Sequence, residues 1–107
     1  MTETDLKRDI LGYLRRRGIW ATRVQSGMVH YRGHVMRLAE AGTPDILGCL
    51  PDGRHLAVEV KLPRWKPRNE ADRRRFELQQ AYCDHVTRAG GVGLVARSVE
   101  DVEERLG

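Results

Sequence analysis

Two hydrophobic rhythms run along this chain. From about Thr4 to Arg17, Leu6, Ile10, Tyr13 and Leu14 recur at helical spacing. Thr2 or Thr4 is placed to cap that helix and Gly18 to stop it. "IWATRVQ" (19–25) is strand-like, and "MVHYRGHVMRL" (28–38) reads as a hairpin turning at Arg32-Gly33. "TPDILGCLPDGRHLAVEVKLP" (43–63) reads as two apolar strands around a tight turn. "RWKPRNEAD" (64–72) holds Pro67 and no period, which predicts a loop. A long helix is expected from about Asp72 to Arg88, closed by Gly90-Gly91. "VGLVA" (92–96) is a short buried strand, and Ser98 caps a last helix, "VEDVEERL". The order helix, strands, helix, strand, helix predicts a single α/β domain over 1–107, a mixed central sheet flanked by helices.

Charge interrupts this pattern where burial should be deepest. With Pro51-Asp52-Gly53 as a three-residue hairpin loop and Gly53 left-handed, Leu50 and Arg54 close the pair, and partner numbers sum to 104. Asp45 then lies opposite Glu59. Alternation puts Glu59 and Lys61 on one face and Val58 and Val60 on the other, so Asp45, Glu59 and Lys61 converge. "EVK" alone is ordinarily a Glu–Lys pair on a solvated strand face. Two facing carboxylates repel, however, and call for a cation between them. Lys61 offsets part of that repulsion; a divalent metal would offset more, and hard oxygen ligands suit Mg2+ or Mn2+ rather than zinc.

Composition narrows the field. The 107 residues are 40% hydrophobic and 32% charged, with 19 Lys and Arg against 15 Asp and Glu, a net charge of +4 that suits a polyanionic partner. No apolar run approaches a membrane span, and the opening "MTETDLKRD" is unlike a signal peptide. Cys49 and Cys83 lack metal-type spacing and are expected to be reduced core thiols of a cytoplasmic protein.

Pro44-Asp45 followed after a short hairpin by Glu59-Val60-Lys61 resembles the PD-(D/E)XK nuclease motif. "AGTPD" upstream and "QQAYCDHVTRAGGVGLVARSVEDV" downstream make the chain resemble the VRR-NUC branch, in its stand-alone bacterial or phage type, from Glu3 to about Val102. The resemblance implies a restriction-endonuclease-like core and a metal-dependent DNA phosphodiesterase. It also implies branched substrates such as four-way (Holliday) junctions, and a homodimer. Asp45 and Glu59 would hold Mg2+ (Mn2+ as substitute) with the Val60 carbonyl, and Lys61 would orient or help deprotonate the attacking water. Glu3 matches the branch's first-helix glutamate. It falls three and seven positions before Leu6 and Ile10, on the apolar face, with Asp5 as its nearest competitor. Phe76, Cys83 and Val86 mark the inward stripe of the long helix, on which Gln79 or Gln80 falls; the family pattern favours Gln79.

Lys61, Arg64, Lys66, Arg68, Arg73, Arg74 and Arg75 surround Trp65 directly after the charged strand. Such residues neutralise phosphates, and Trp65 could stack on an unpaired base. Arg23 matches a basic position of the family. Arg15-Arg16-Arg17 is more simply a helix end complementing its dipole. His30 and His34 straddle a turn, and these two, His55 and His85 are read as non-catalytic. The expected activity is metal-assisted hydrolysis of DNA, specific for shape more than sequence. A DNA-binding module without catalysis is the alternative from another class, and a nicking, flap-cutting or restriction-type nuclease the alternative within it. Replacing either Asp45 or Glu59 by Ala is expected to abolish cleavage and leave folding intact or slightly improved.

Overall fold

The computed structural model describes residues 1–107 apart from the side chain of Arg37. Its first helix, α1 (Glu3–Arg16), starts at Thr2, whose hydroxyl accepts from the Asp5 N–H at 3.1 Å while the Asp5 carboxylate accepts from the Thr2 N–H at 2.9 Å. Thr2 rather than Thr4 is therefore the cap. Gly18, at φ +74°, ends the helical path as expected.

Strands β1 (Trp20–Arg23), β4 (Ile46–Cys49), β5 (His55–Val60) and β6 (Val92–Ala96) form one sheet in the order β1-β4-β5-β6. The first two pairings are antiparallel and β5–β6 is parallel, so the sheet is mixed. The hairpin register is the expected one: Ile46 faces Val58 and Cys49 faces His55. Gly53 sits at φ +93°, and Leu50 and Arg54 close the turn through a 2.8 Å hydrogen bond.

Helix α2 (Glu70–Arg88) starts two residues before the expected Asp72. Asn69 is the cap, accepting from the Asp72 N–H at 2.8 Å, which makes Asp72 a first-turn residue. Helix α3 (Val99–Leu106) begins at the Ser98 cap. Leu6, Ile10 and Leu14 of α1 and Val102 of α3 bury against Leu56, Val58 and Val60. On the other face, Ala57 meets Cys83 and Val86 of α2. Each fully buried aliphatic side chain contributes roughly 1.5–3 kcal/mol. A Cβ on Gly93 would collide with the backbone of Cys83, so glycine is what lets α2 lie directly on β6.

Cys83 is buried as expected, but Cys49 is exposed, which corrects its reading as a core thiol. It ends β4, and α2 packs over β5 and β6 rather than over that part of the sheet. Strands β2 (Met28–Tyr31) and β3 (His34–Arg37) form a separate antiparallel ribbon turning at Arg32 (φ 51°) and Gly33 (φ 78°). Met28, Val29, Tyr31, Val35 and Met36 on it are all exposed. No helix is long and apolar enough to cross a membrane.

Candidate active site

The alternation of β5 decides which side chains meet. Leu56, Val58 and Val60 enter the core under α1, and the intervening Glu59 points toward α2, with Lys61 next on that side. Glu59 is 1% exposed and Lys61 9%. Asp45 immediately precedes β4, and continuing the register places it across from Glu59. Its Oδ2 accepts from the Val60 backbone N–H at 2.8 Å. Both Glu59 carboxylate oxygens are buried without a hydrogen-bond partner, although Lys61 Nζ lies 3.3 Å from Oε2. Burial first, and then the charge of Asp45, push the Glu59 carboxyl up to about 8 against the opposing pull of Lys61. This carboxyl therefore keeps its proton to higher pH than an ordinary glutamate does.

The end of α1 reaches the same corner through a residue that the sequence reading left out. Lys7 Nζ stands 3.2 Å from Asp45 Oδ1 and 3.5 Å from Glu3 Oε1, so Glu3 meets Asp45 through an ammonium group. The available signal was the spacing of Glu3 and Lys7, one helical turn apart beside the apolar stripe. Asp5, the competitor of Glu3, is taken up by the Thr2 cap and by Arg8 at 3.4 Å. The Thr2 hydrogen bonds hold its carboxyl below the usual range.

Of the two glutamines, Gln79 is buried and Gln80 exposed. Gln79 Oε1 has no hydrogen-bond partner, and one turn further along α2 the Cys83 thiol is pushed up to about 11 by burial and by the nearby Glu59. Trp65 is half-buried and engaged. Lys61 Nζ lies 4.2 Å from its ring centroid, and Phe76 packs against it edge-to-face at 4.9 Å. One face of the indole is thus already covered, leaving at most the other for a base.

Comparison with models of protein families, with curated proteins and with solved structures finds no match for this chain.

A polar cleft of about 600 Å3 opens beside Asp45, lined by Thr4, Lys7, Arg23, Gln25 and Ser26. Arg23 reaches it because Val24 donates to the Asp45 carbonyl at 2.7 Å, fixing the end of β1 against the foot of β4. Arg64, Lys66, Arg68, Arg73, Arg74 and Arg75 are all exposed after β5. Arg68 and Arg75 approach Asp72 at 3.9 and 4.0 Å, and Arg73 approaches Glu70 at 3.8 Å. Arg64, Lys66 and Arg74 make no ion pair among the described residues.

Two buried Glu59 oxygens without donors, a facing Asp45 carboxylate and the Val60 carbonyl offer the hard-oxygen chemistry that Mg2+ or Mn2+ takes. Among the described residues, no three His, Cys, Asp or Glu side chains gather into a metal-binding cluster. The fit is therefore to the Asp45–Glu59 pair, with Glu3 held off by Lys7.

Proposed function

We propose that this chain is a metal-dependent DNA endonuclease of PD-(D/E)XK type, similar to the VRR-NUC branch and directed at branched DNA such as four-way junctions. The observation that carries this reading is Glu59: a carboxyl group buried in a sheet without a hydrogen bond, facing Asp45 and flanked by Lys61. Such an arrangement costs stability, and groups perturbed in this way cluster at functional sites. The mixed sheet with α1 and α2 on opposite faces agrees with a nuclease core of this type.

Asp45, Glu59 and the Val60 carbonyl would hold Mg2+, with Mn2+ as substitute. When bound, that cation supplies positive charge at the scissile phosphate and makes water acidic enough to attack near neutral pH. Lys61, fixed between Glu59 and Trp65, would direct its ammonium at the phosphate and orient the water. Gln79, with an unpartnered oxygen, would accept a hydrogen bond from that water or from a neighbouring ligand. Lys7 and Arg23 in the polar cleft, and Arg64, Lys66, Arg68, Arg73 and Arg74 after β5, would neutralise the DNA backbone on either side. The exposed β2–β3 ribbon would join two copies into a homodimer, giving two sites for the paired cuts of a junction.

A second reading, a DNA-binding module without catalysis, is favoured by Lys7, whose single ammonium already pairs with Asp45 and Glu3 where a metal would otherwise bind. Incubation with duplex, flap, splayed-arm and four-way-junction DNA, with and without magnesium, separates the two. Magnesium-dependent cutting supports the nuclease. Tight binding of intact DNA at every magnesium concentration supports the module.

A further inference from the structure

One side chain gathers the backbone carbonyls that follow β5. Arg97, just past β6, directs Nη1 at the carbonyl oxygens of Leu62 (2.8 Å), Trp65 (3.1 Å) and Pro63 (3.4 Å). One nitrogen with two hydrogens shares itself among three acceptors, the Pro63 contact being the weakest. The Arg97 backbone N–H donates to the Asp101 carboxylate at 2.8 Å, which anchors the arginine to the start of α3. The segment so held lies in neither a helix nor a strand, and within it Trp65 N–H donates to the Leu62 carbonyl at 3.1 Å. Its last residue carries the indole that covers Lys61.

We propose that Arg97 is a positioning residue: by clamping Leu62–Trp65 it keeps the Trp65 ring over the Lys61 ammonium, and so keeps Lys61 beside Glu59. Its catalytic consequence rests on the nuclease reading above. A lysine stem has several rotatable bonds, and Lys61 Nζ is confined by a carboxylate oxygen at 3.3 Å, the Trp65 ring at 4.2 Å and the Phe76 ring at 5.7 Å. Phe76 is held by α2 and Glu59 by β5, but Trp65 stands on an irregular segment whose backbone carbonyls are held from outside by Arg97, beside the packing of Leu62 on the core and of Phe76 on the indole. The planar, always-charged guanidinium suits this task better than an ammonium.

The chain has two tryptophans, and Trp20 is 83% exposed, so a Trp20→Phe background leaves Trp65 as the sole reporter. In that background Arg97→Gln and Arg97→Lys are expected to raise acrylamide quenching of Trp65 toward that of an exposed indole. With magnesium and junction DNA, both are expected to lower the single-turnover rate by about tenfold or more, with affinity within about twofold. Trp65→Leu is expected to give the same loss, and the Arg97→Gln/Trp65→Leu double variant no further one. Lost affinity in Arg97→Gln that Arg97→Lys restores would make Arg97 a phosphate contact and overturn the proposal. Fully additive rate losses would overturn it too. Should the Arg97 variants not fold, Trp65→Leu decides, and an unchanged rate there refutes the arrangement. A wild-type chain that cuts none of the DNA substrates removes the nuclease reading; quenching then decides the clamp alone, and unchanged quenching in both Arg97 variants refutes it.

Discussion

The Val60 backbone N–H donates to Asp45 Oδ2 at 2.8 Å, so the carboxylate at the foot of β4 is tied to the strand that carries Glu59. Asp45 is thereby structural as well as a proposed metal ligand. Its other oxygen meets Lys7 at 3.2 Å. Glu59, by contrast, is buried without a hydrogen bond, with only the Lys61 ammonium 3.3 Å from Oε2.

This asymmetry splits two substitutions that look equivalent in sequence. Asp45→Ala removes a charged hydrogen bond and leaves the Val60 N–H short of its acceptor, at an expected cost of about 1–3 kcal/mol. Glu59→Gln removes a desolvated charge and is expected to be neutral or stabilising at pH 8. Both should abolish magnesium-dependent cleavage. Urea unfolding beside a junction-cleavage assay reads the two effects, and equal stability of the two variants would refute the split.

Stability should fall with rising pH because of Glu59. Its carboxyl titrates at about 8 in the fold against an ordinary 4.5, so between these values the native state holds a proton that the unfolded chain has released. The resulting stabilisation is complete below about 4.5 and is lost as pH climbs through 8. Magnesium binding would release that proton, so the rise in Tm on adding magnesium should be larger at pH 8.5 than at pH 6 (about a tenfold excess over Kd suffices to see it). Thermal melts of the wild type and Glu59→Gln check both statements, since the variant should lose the slope.

Lys61 and the basic residues after it should fail differently. Lys61→Ala is expected to remove most of the single-turnover rate with little change in DNA affinity, because Lys61 is confined beside Glu59 and under Trp65. Arg64→Ala, Lys66→Ala and Arg74→Ala should weaken binding and leave the chemical step near wild type. Arg68→Ala and Arg73→Ala should weaken it less, since these arginines already lie near Asp72 and Glu70. Titrations and single-turnover rates at saturating protein distinguish the two groups.

The β2–β3 ribbon should be where copies meet. A two-stranded ribbon is marginal by itself in water, and this one exposes Met28, Val29, Tyr31, Val35 and Met36. Light scattering at micromolar concentration is expected to give a dimer, and Val35→Lys combined with Val29→Glu a monomer. The dimer should bind junction DNA with a steeper salt dependence than a short duplex, by about 0.9 in slope for each extra phosphate neutralised. A wild-type monomer with and without junction DNA would remove the paired-cut arrangement in favour of a nicking or flap-cutting one.

What the sequence by itself determined is what neighbouring residues decide among themselves. Pro51-Asp52-Gly53 favours a three-residue turn with Gly53 left-handed, and that turn sets the register that brings Asp45 opposite Glu59 and puts Glu59 and Lys61 on one face. Helical spacing likewise marked the α1 stripe and placed a glutamine on the inward face of α2, although burial rather than spacing separated Gln79 from Gln80. Tertiary structure alone decided the rest. Lys7 comes between Glu3 and Asp45 because of how α1 lies across the sheet, and Cys49 stays exposed because α2 covers β5 and β6. Trp65 turns onto Lys61 under the hold of Arg97, whose contact with Leu62 spans 35 residues. Periods and turns are short-range and steric, so they can be read from a few adjacent residues. The seating of helices on a sheet sums many weak contacts between distant segments, and only the folded chain carries that sum.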